Sequence, residues 1–324
     1  MQIDKIFIII IYSEGIKLKS WDYNLNLEFD KYQGIKNWLK YRICDMDYDC
    51  DVSKYAMDVY KEKYEFLSTG IVQHQYNNFP SFQKWNRHNL KWEIQLNDTL
   101  YSGDTLNSFA TPFNRFANVF ISKLNNKKFK LTYIGKDTYE LLLKEFDIVF
   151  SDYNLSQVEY SREIIEYFDK FANLTHTIGN LFPVPLYFNK ERTGENGDYE
   201  FPDILLKSIY DFYLSKDSNK KEVGISVIKE KKRIDKTVKW LDSFGSGKAG
   251  WNKFIEVYRF SMYLDEKSEP MELWNNHNIE NTKTPDIGEE FLYYLSFVCD
   301  CIEKRGNEIF IRNSKNNAKI YKKH

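Results

Sequence analysis

Residues 156–181 read SQVEYSREIIEYFDKFANLTHTIGNL, and the class of the fold turns on this stretch. Val158, Ile164, Ile165, Phe168, Phe171, Leu174 and Ile178 recur at spacings of three and four, the period of a helix with one apolar face. On that period the helix runs to Leu181. Pro183 and Pro185 of the following PVPLYF then end it, because proline lacks the amide hydrogen and crowds the preceding turn.

The same period recurs on both sides. KYQGIKNWLKYRI (31–43) carries Ile35, Trp38, Leu39 and Ile43, and VSKYAMDVYKEKYEFLS (52–68) carries Tyr55, Val59, Tyr60, Tyr64 and Leu67 behind Ser53 as N-cap. TPFNRFANVFISKL (111–124) sets Phe113, Phe116, Phe120 and Leu124 on a stripe, with Pro112 in the first turn. Further amphipathic runs are 137–153, 203–215, 229–244, 251–265 and 289–306. Strand patterns fall near the N-terminus. FIIIIY (7–12) suits a strand buried on both faces, and KWEIQLND (91–98) alternates as a half-exposed one. The expectation is a mainly α protein with a small mixed α/β N-terminal portion (1–101), a central helical region (102–214) and a helical C-terminal region (215–324). SKDSNKKE (215–222) is the linker candidate, unless all three pack as one compact domain.

Composition narrows the class. With 42% hydrophobic and 17% aromatic residues among 324, the chain can bury a core of ordinary size. A net charge of −1 gives no global pull toward nucleic acid or anionic lipid. The charge is uneven, however: residues 214–240 and 302–324 each carry +5, leaving −11 for the rest, so these basic segments are the candidate contacts for a partner. The abundance of Lys, Asn, Ile and Tyr suggests an AT-rich bacterial genome. Four cysteines, at 44, 50, 299 and 301, form no secreted disulfide framework and no zinc-knuckle spacing. The apolar run from Ile6 to Tyr12 is too short to span a bilayer and lacks a cleavage site. A cytoplasmic chain without membrane contact is the expectation.

Three polar clusters interrupt the apolar helices: SGDTLNS (102–108), LTHTIGN (174–180) and FNKERTGENGDYEFPD (188–203). Asp, Thr and Asn beside helices are common caps, so SGDTLNS reads first as a capped loop. In LTHTIGN a regular helix puts His176 and Asn180, four apart, on one face, where they address a single ligand or each other. In the third cluster the stiff PVP segment aims Asn189 and Arg192, and Arg192 can clamp an anion through its planar fork. Two lookalikes fail. The acidic run at 45–58 has Val52 where a calcium loop needs Gly. SFGSGKAGW (243–251) lacks the first Gly and the Ser/Thr of a phosphate loop, and reads as a flexible turn before a helix at Trp251.

Taken in order, SGDTLNSF, LTHTIGN and PVPLYFNKER resemble a widespread family of bacterial proteins sharing S-D-T-x-N-S, L-x-H-T-I-G-N and F-N-x-x-R segments, a domain of unknown function. The resemblance groups the clusters and implies no particular reaction. If Asp104, Asn107, His176, Thr177, Asn180, Asn189 and Arg192 converge, they offer one base, one fixed cation, one carboxylate and several amides and hydroxyls. That inventory suits a metal-independent phosphodiester- or nucleotide-directed enzyme, with a nucleotide or RNA ligand and no cofactor or metal. His176 is then the acid or base, Arg192 the anion clamp and Asp104 the orienter, while Asn107, Thr177, Asn180 and Asn189 hold the ligand. AT-rich bacterial genes of this size associate with a toxin or antiphage role. The competing expectation is a non-enzymatic binding or structural protein in which the His-Asn-Arg cluster is a buried polar latch. A metal-dependent hydrolase built on Asp104, Asp198 and Asp203 is the third reading, and their spacing lends it no support.

Overall fold

The computed structural model describes residues 31–44, 83–86, 91–96, 99–124, 136–175, 177, 179–185, 188, 201–214, 231–273 and 287–320; within β1–β3 and at some helix ends it describes the backbone alone. Along the chain these form α1 (Gln33–Cys44), β1 (Gln83–Asn86), β2 (Lys91–Leu96), β3 (Thr99–Thr105), α2 (Ala110–Leu124), α3 (Lys136–Lys144), α4 (Phe146–Val149), α5 (Asp152–Ser156), α6 (Ser161–Leu174) and β4 (Leu181–Pro185). They continue as α7 (Pro202–Leu214), α8 (Lys231–Asp242), α9 (Gly247–Tyr258), a 3-10 turn (Ser261–Tyr263) and α10 (Glu289–Ile320). The protein is mainly α, and the described strands form a small antiparallel sheet in the order β1-β2-β3-β4. The sequence patterns at 7–12, 45–58, 52–68 and 215–222 lie outside the described residues.

Helix α6 is the central element, packing against α1, α5 and α10. Its Ile164, Ile165, Phe168 and Phe171 have no exposed surface. Phe109, Phe113 and Phe116 gather around Phe168 at ring separations of 5.8, 5.4 and 5.3 Å, in the tilted and edge-on geometries aromatic quadrupoles prefer. Trp38 of α1 joins them 4.6 Å from Phe109. A second aromatic group, Trp240, Phe244, Trp251, Phe254, Tyr258 and Phe260, ties α8 to α9 and reaches β4 through Phe182, 5.3 Å from Phe260. Helix α1 seats closely on α6 because residue 34 is glycine: a Cβ there would lie 2.6 Å from Asp169 O. Asp169 Oδ1 accepts from Ile35 N at 3.0 Å, so a carboxylate of α6 caps the start of α1. Burial raises that carboxyl above its ordinary range.

The central reading of the sequence needs correction. The stretch 156–181 is not one helix: α6 stops at Leu174, and Pro183 and Pro185 lie in a strand. Thr175, Thr177 and Gly179 propagate a helix poorly, and side chains take the carbonyls that further turns would use. Thr177 Oγ1 donates to Leu174 O at 2.8 Å, and Asn180 Nδ2 to Thr175 O at 2.8 Å. The prolines fit because β4 is an edge strand among the described strands. Both sit on the same ladder phase, opposite Gly103 and Tyr101, so the missing amide hydrogens belong to the outer side.

Other boundaries move for similar reasons. SGDTLNS is not simply a capped loop, since Ser102–Thr105 complete β3 and pair with positions 184 to 181 of β4. The run 137–153 breaks into α3, α4 and α5, and Ser151 caps α5 by accepting from Asn154 N at 3.3 Å. Helix α9 begins at Gly247 rather than Trp251. Gly245 and Gly247, at φ 108° and 57°, make the entry turn, and Gly250 fits where a Cβ would lie 2.5 Å from Gly245 O. Pro202 opens α7, the first-turn position where its missing amide costs nothing. Helix α10 outruns the apolar period at 289–306 and continues to Ile320.

Candidate functional site

β3 and β4 end together, Thr105 opposite Leu181, and the pairing continues beyond them through a side chain. Leu106 N donates to Asn180 O at 2.7 Å. Asn107 N then donates to Asn180 Oδ1 at 2.9 Å, while Asn180 Nδ2 donates to Asn107 O at 2.9 Å. The Asn180 carboxamide thus stands in for one more peptide group of the ladder. Its second N–H reaches Thr175 O, so one side chain closes the end of α6 and extends the sheet.

Asn107 adds a further layer. Its Nδ2 donates to Asn180 Oδ1 at 2.8 Å and to Tyr263 OH at 2.9 Å. Asn107 and Asn180 are both 0% exposed, and Tyr263 is buried beside them. Burial pushes the Tyr263 hydroxyl far above its ordinary range, so it remains a neutral phenol. Asn107 Oδ1 has no hydrogen-bond partner among the described residues.

The loop between α6 and β4 is clamped from the other side by α10. Arg305, 0% exposed, donates through Nη1 to Gly179 O at 2.8 Å and Leu181 O at 2.9 Å, and through Nε to Tyr258 O at 2.8 Å. Its guanidinium also lies 4.9 Å from the Phe260 ring centroid. Three carbonyls fit the donor fork of arginine as they would not fit a lysine. Gly179 makes the approach feasible: a Cβ there would overlap Ile302 O and lie 3.1 Å from Gly306 N. Arg305 therefore belongs to the interior, although it counts toward the basic segment 302–324.

Of the expected site residues, Asn107 and Asn180 come together, with Thr177 a few residues before Asn180 in the same loop. The hydroxyl of Thr177 is spent on Leu174 O, not directed at a ligand. Asp104 lies three residues before Asn107, buried on β3 opposite Phe182, with Oδ1 accepting from Thr105 N at 2.8 Å. The shared helical face expected for His176 and Asn180 does not exist, because Asn180 follows the end of the helix. His176, Asn189, Arg192 and Asp198 lie outside the described residues.

Arg305 and Tyr263 escaped the sequence reading. Arg305 left a signal, since Phe291, Leu295, Val298, Ile302 and Arg305 continue one apolar helical stripe. Tyr263 left none. Asp203, at the start of α7, accepts from Leu273 N at 3.4 Å, and burial raises its carboxyl to about 7. Cys299 and Cys301 are buried thiols raised by burial to about 12, which makes them inert as nucleophiles. Among the described residues no three His, Cys, Asp or Glu side chains gather as a metal site, and no helix is long and apolar enough to cross a membrane. Comparison with family models, curated proteins and solved structures finds no match to this chain.

Proposed function

We propose that this is a non-enzymatic binding or structural protein in which the Asn107–Asn180 pair is a polar latch, and that its basic segments 214–240 and 302–324 make the contacts with a partner. One observation carries the reading. All four hydrogen bonds of the Asn180 carboxamide go to the protein's own backbone and to Asn107, in a place with no exposed surface. An amide that positions a substrate needs a donor or acceptor left for it, and Asn180 has none. A buried network of this kind specifies one packing of the chain and requires no ligand.

In the first basic segment, α8 buries Thr237, Trp240 and Leu241 and turns Asp235 and Lys239 outward. In the second, Lys304 is exposed. The experiment compares Asn180→Ala with His176→Ala, scoring melting temperature together with hydrolysis of RNA, cyclic nucleotides and a chromogenic phosphodiester. The latch reading expects Asn180→Ala to melt well below the wild type, with no turnover by either protein. Wild-type turnover that His176→Ala abolishes at unchanged melting temperature would overturn it in favour of a metal-independent phosphodiester- or nucleotide-directed enzyme.

A further inference from the structure

We infer that residues 264–273 form a strap that a proton on Asp203 keeps closed against α7, and that loosens when the proton leaves. The inference goes beyond the latch and uses no hydrogen bond of the Asn107–Asn180 pair. It starts from how the strap is fastened. Leu264 pairs with Pro270 as an antiparallel bridge, and Met271 N donates to Tyr263 O at 2.9 Å, so the segment folds back on itself. Asp265 Oδ1 accepts from Lys267 N and Glu269 N, both at 2.9 Å, and shapes the turn from within. Other bonds tie the strap to its neighbours. Trp251 Nε1 of α9 donates to Ser268 O at 2.9 Å, and the Tyr210 hydroxyl of α7 donates to Glu269 Oε1 at 2.9 Å. At the far end Leu273 N donates to Asp203 Oδ2 at 3.4 Å.

Of these ties to α7 and α9, the bond between Asp203 and Leu273 lies deepest: the two residues are 6% and 3% exposed. A carboxylate in the first turn of a helix is ordinarily favoured, by the dipole and by free amides. Here the amides of Asp203 and Ile204 do face it. Removal from water acts the other way and prevails, raising the carboxyl to about 7. Glu272, beside Leu273 on the strap, opposes ionisation as well. The charged groups of the surrounding elements are turned to other partners. On α7, Lys207 pairs with Asp211 at 2.6 Å. On α9, Lys248 Nζ lies 3.5 Å from Lys267 O, and Lys253 pairs with Glu256 at 3.2 Å. From α10 the neighbour is the ring of Tyr294, 5.8 Å from that of Phe201.

The sign follows from the burial. The folded carboxyl holds its proton more tightly than the same group in water, so closure is fully favoured at low pH. It loses ground as pH rises from about 4 through 7. An ionised Asp203 regains water when Leu273 and Glu272 move off the start of α7. The same movement draws Glu269 and Ser268 away from Tyr210 and Trp251, two buried rings 5.2 Å apart.

Amide hydrogen exchange on the full chain from pH 5 to 8, at matched chemical exchange times, tests this. The hydrogen-bonded amides of Asp265, Met271 and Leu273 report the strap, and those of α6 report the core. Strap amides of the wild type should exchange about tenfold faster than α6, or more, at every pH. Their opening should rise about a hundredfold across the range and flatten above pH 7. In Asp203→Asn the strap should stay closed with no such rise. Strap amides that exchange no faster than α6 overturn the inference, because the strap then opens only when the whole molecule unfolds. A wild-type strap indifferent to pH overturns it too, as does an equal rise in Asp203→Asn. The wild-type comparison decides by itself should that variant not fold. None of these outcomes touches the latch, which Asn180→Ala tests by stability alone.

Discussion

Replacing Asn180 by alanine should cost far more stability than replacing Asn107, although the two side chains touch each other and are equally buried. Asn180 makes four hydrogen bonds through its carboxamide, two accepted and two donated. Its removal strands Asn107 N, Asn107 O and Thr175 O where no solvent reaches. At roughly 1–3 kcal/mol for each orphaned buried group, with relaxation recovering part of the loss, Asn180→Ala should cost about 3–5 kcal/mol. Asn107→Ala removes two donated bonds, but it also removes Oδ1, an acceptor with no partner among the described residues. The backbone exchange with Asn180 survives, so the expected cost is about 1–2 kcal/mol. Urea denaturation followed by tryptophan fluorescence resolves such a gap, and melting temperatures should separate by several degrees. If Asn107→Ala proves as damaging as Asn180→Ala, the carboxamide of Asn180 is not the connecting element and the reasoning fails.

The remaining predictions concern the clamp and the buried carboxyl. Arg305→Lys keeps the charge but cannot reach Gly179 O, Leu181 O and Tyr258 O together, and should destabilise by about 2–4 kcal/mol in the same denaturation assay. Gly179→Ala places a methyl against the backbone of α10 at Ile302 and should cost about 1–3 kcal/mol as the loop lifts away, measured as a fall in melting temperature. The Asp203 carboxyl is raised by burial to about 7 from 3.8, so the folded chain holds a proton that the unfolded chain releases. That contribution is full below about pH 4 and is lost as pH rises toward 7. Asp203→Asn should therefore gain on the wild type across this window, by an amount on the order of a few kcal/mol. A difference between them that stays constant from pH 4 to 8 would show that Asp203 does not titrate as its burial requires.

Much of the helical body was legible from periodicity. Ile35, Trp38 and Leu39 of α1, Phe113, Phe116 and Phe120 of α2, and Ile164, Ile165, Phe168 and Phe171 of α6 are all buried as their spacing demands. What misled was the end of α6. Leu174 and Ile178 keep the apolar period, and two prolines follow at a plausible stop. Yet the chain leaves the helix at Thr175, because Thr177 and Asn180 supply hydrogen bonds that compete with another turn. Periodicity reports which face is apolar and is silent on who accepts a given carbonyl's partner. The Pro-Val-Pro segment was likewise readable as a stop signal and, equally, as an edge strand.

The sequence by itself determined that this chain is mainly helical, with apolar stripes wide enough to close a core, and that its polar residues cluster in SGDTLNS and LTHTIGN. Only the tertiary structure decided what those clusters do. Asn107 and Asn180 are 73 residues apart, and their three mutual hydrogen bonds exist because β3 and β4 pair in one register. Arg305 stands 126 residues beyond the glycine whose carbonyl it holds. A stripe of apolar residues follows from local geometry repeated along one helix. A hydrogen bond between distant amides depends on where every intervening element packs, and no short stretch of sequence carries that information.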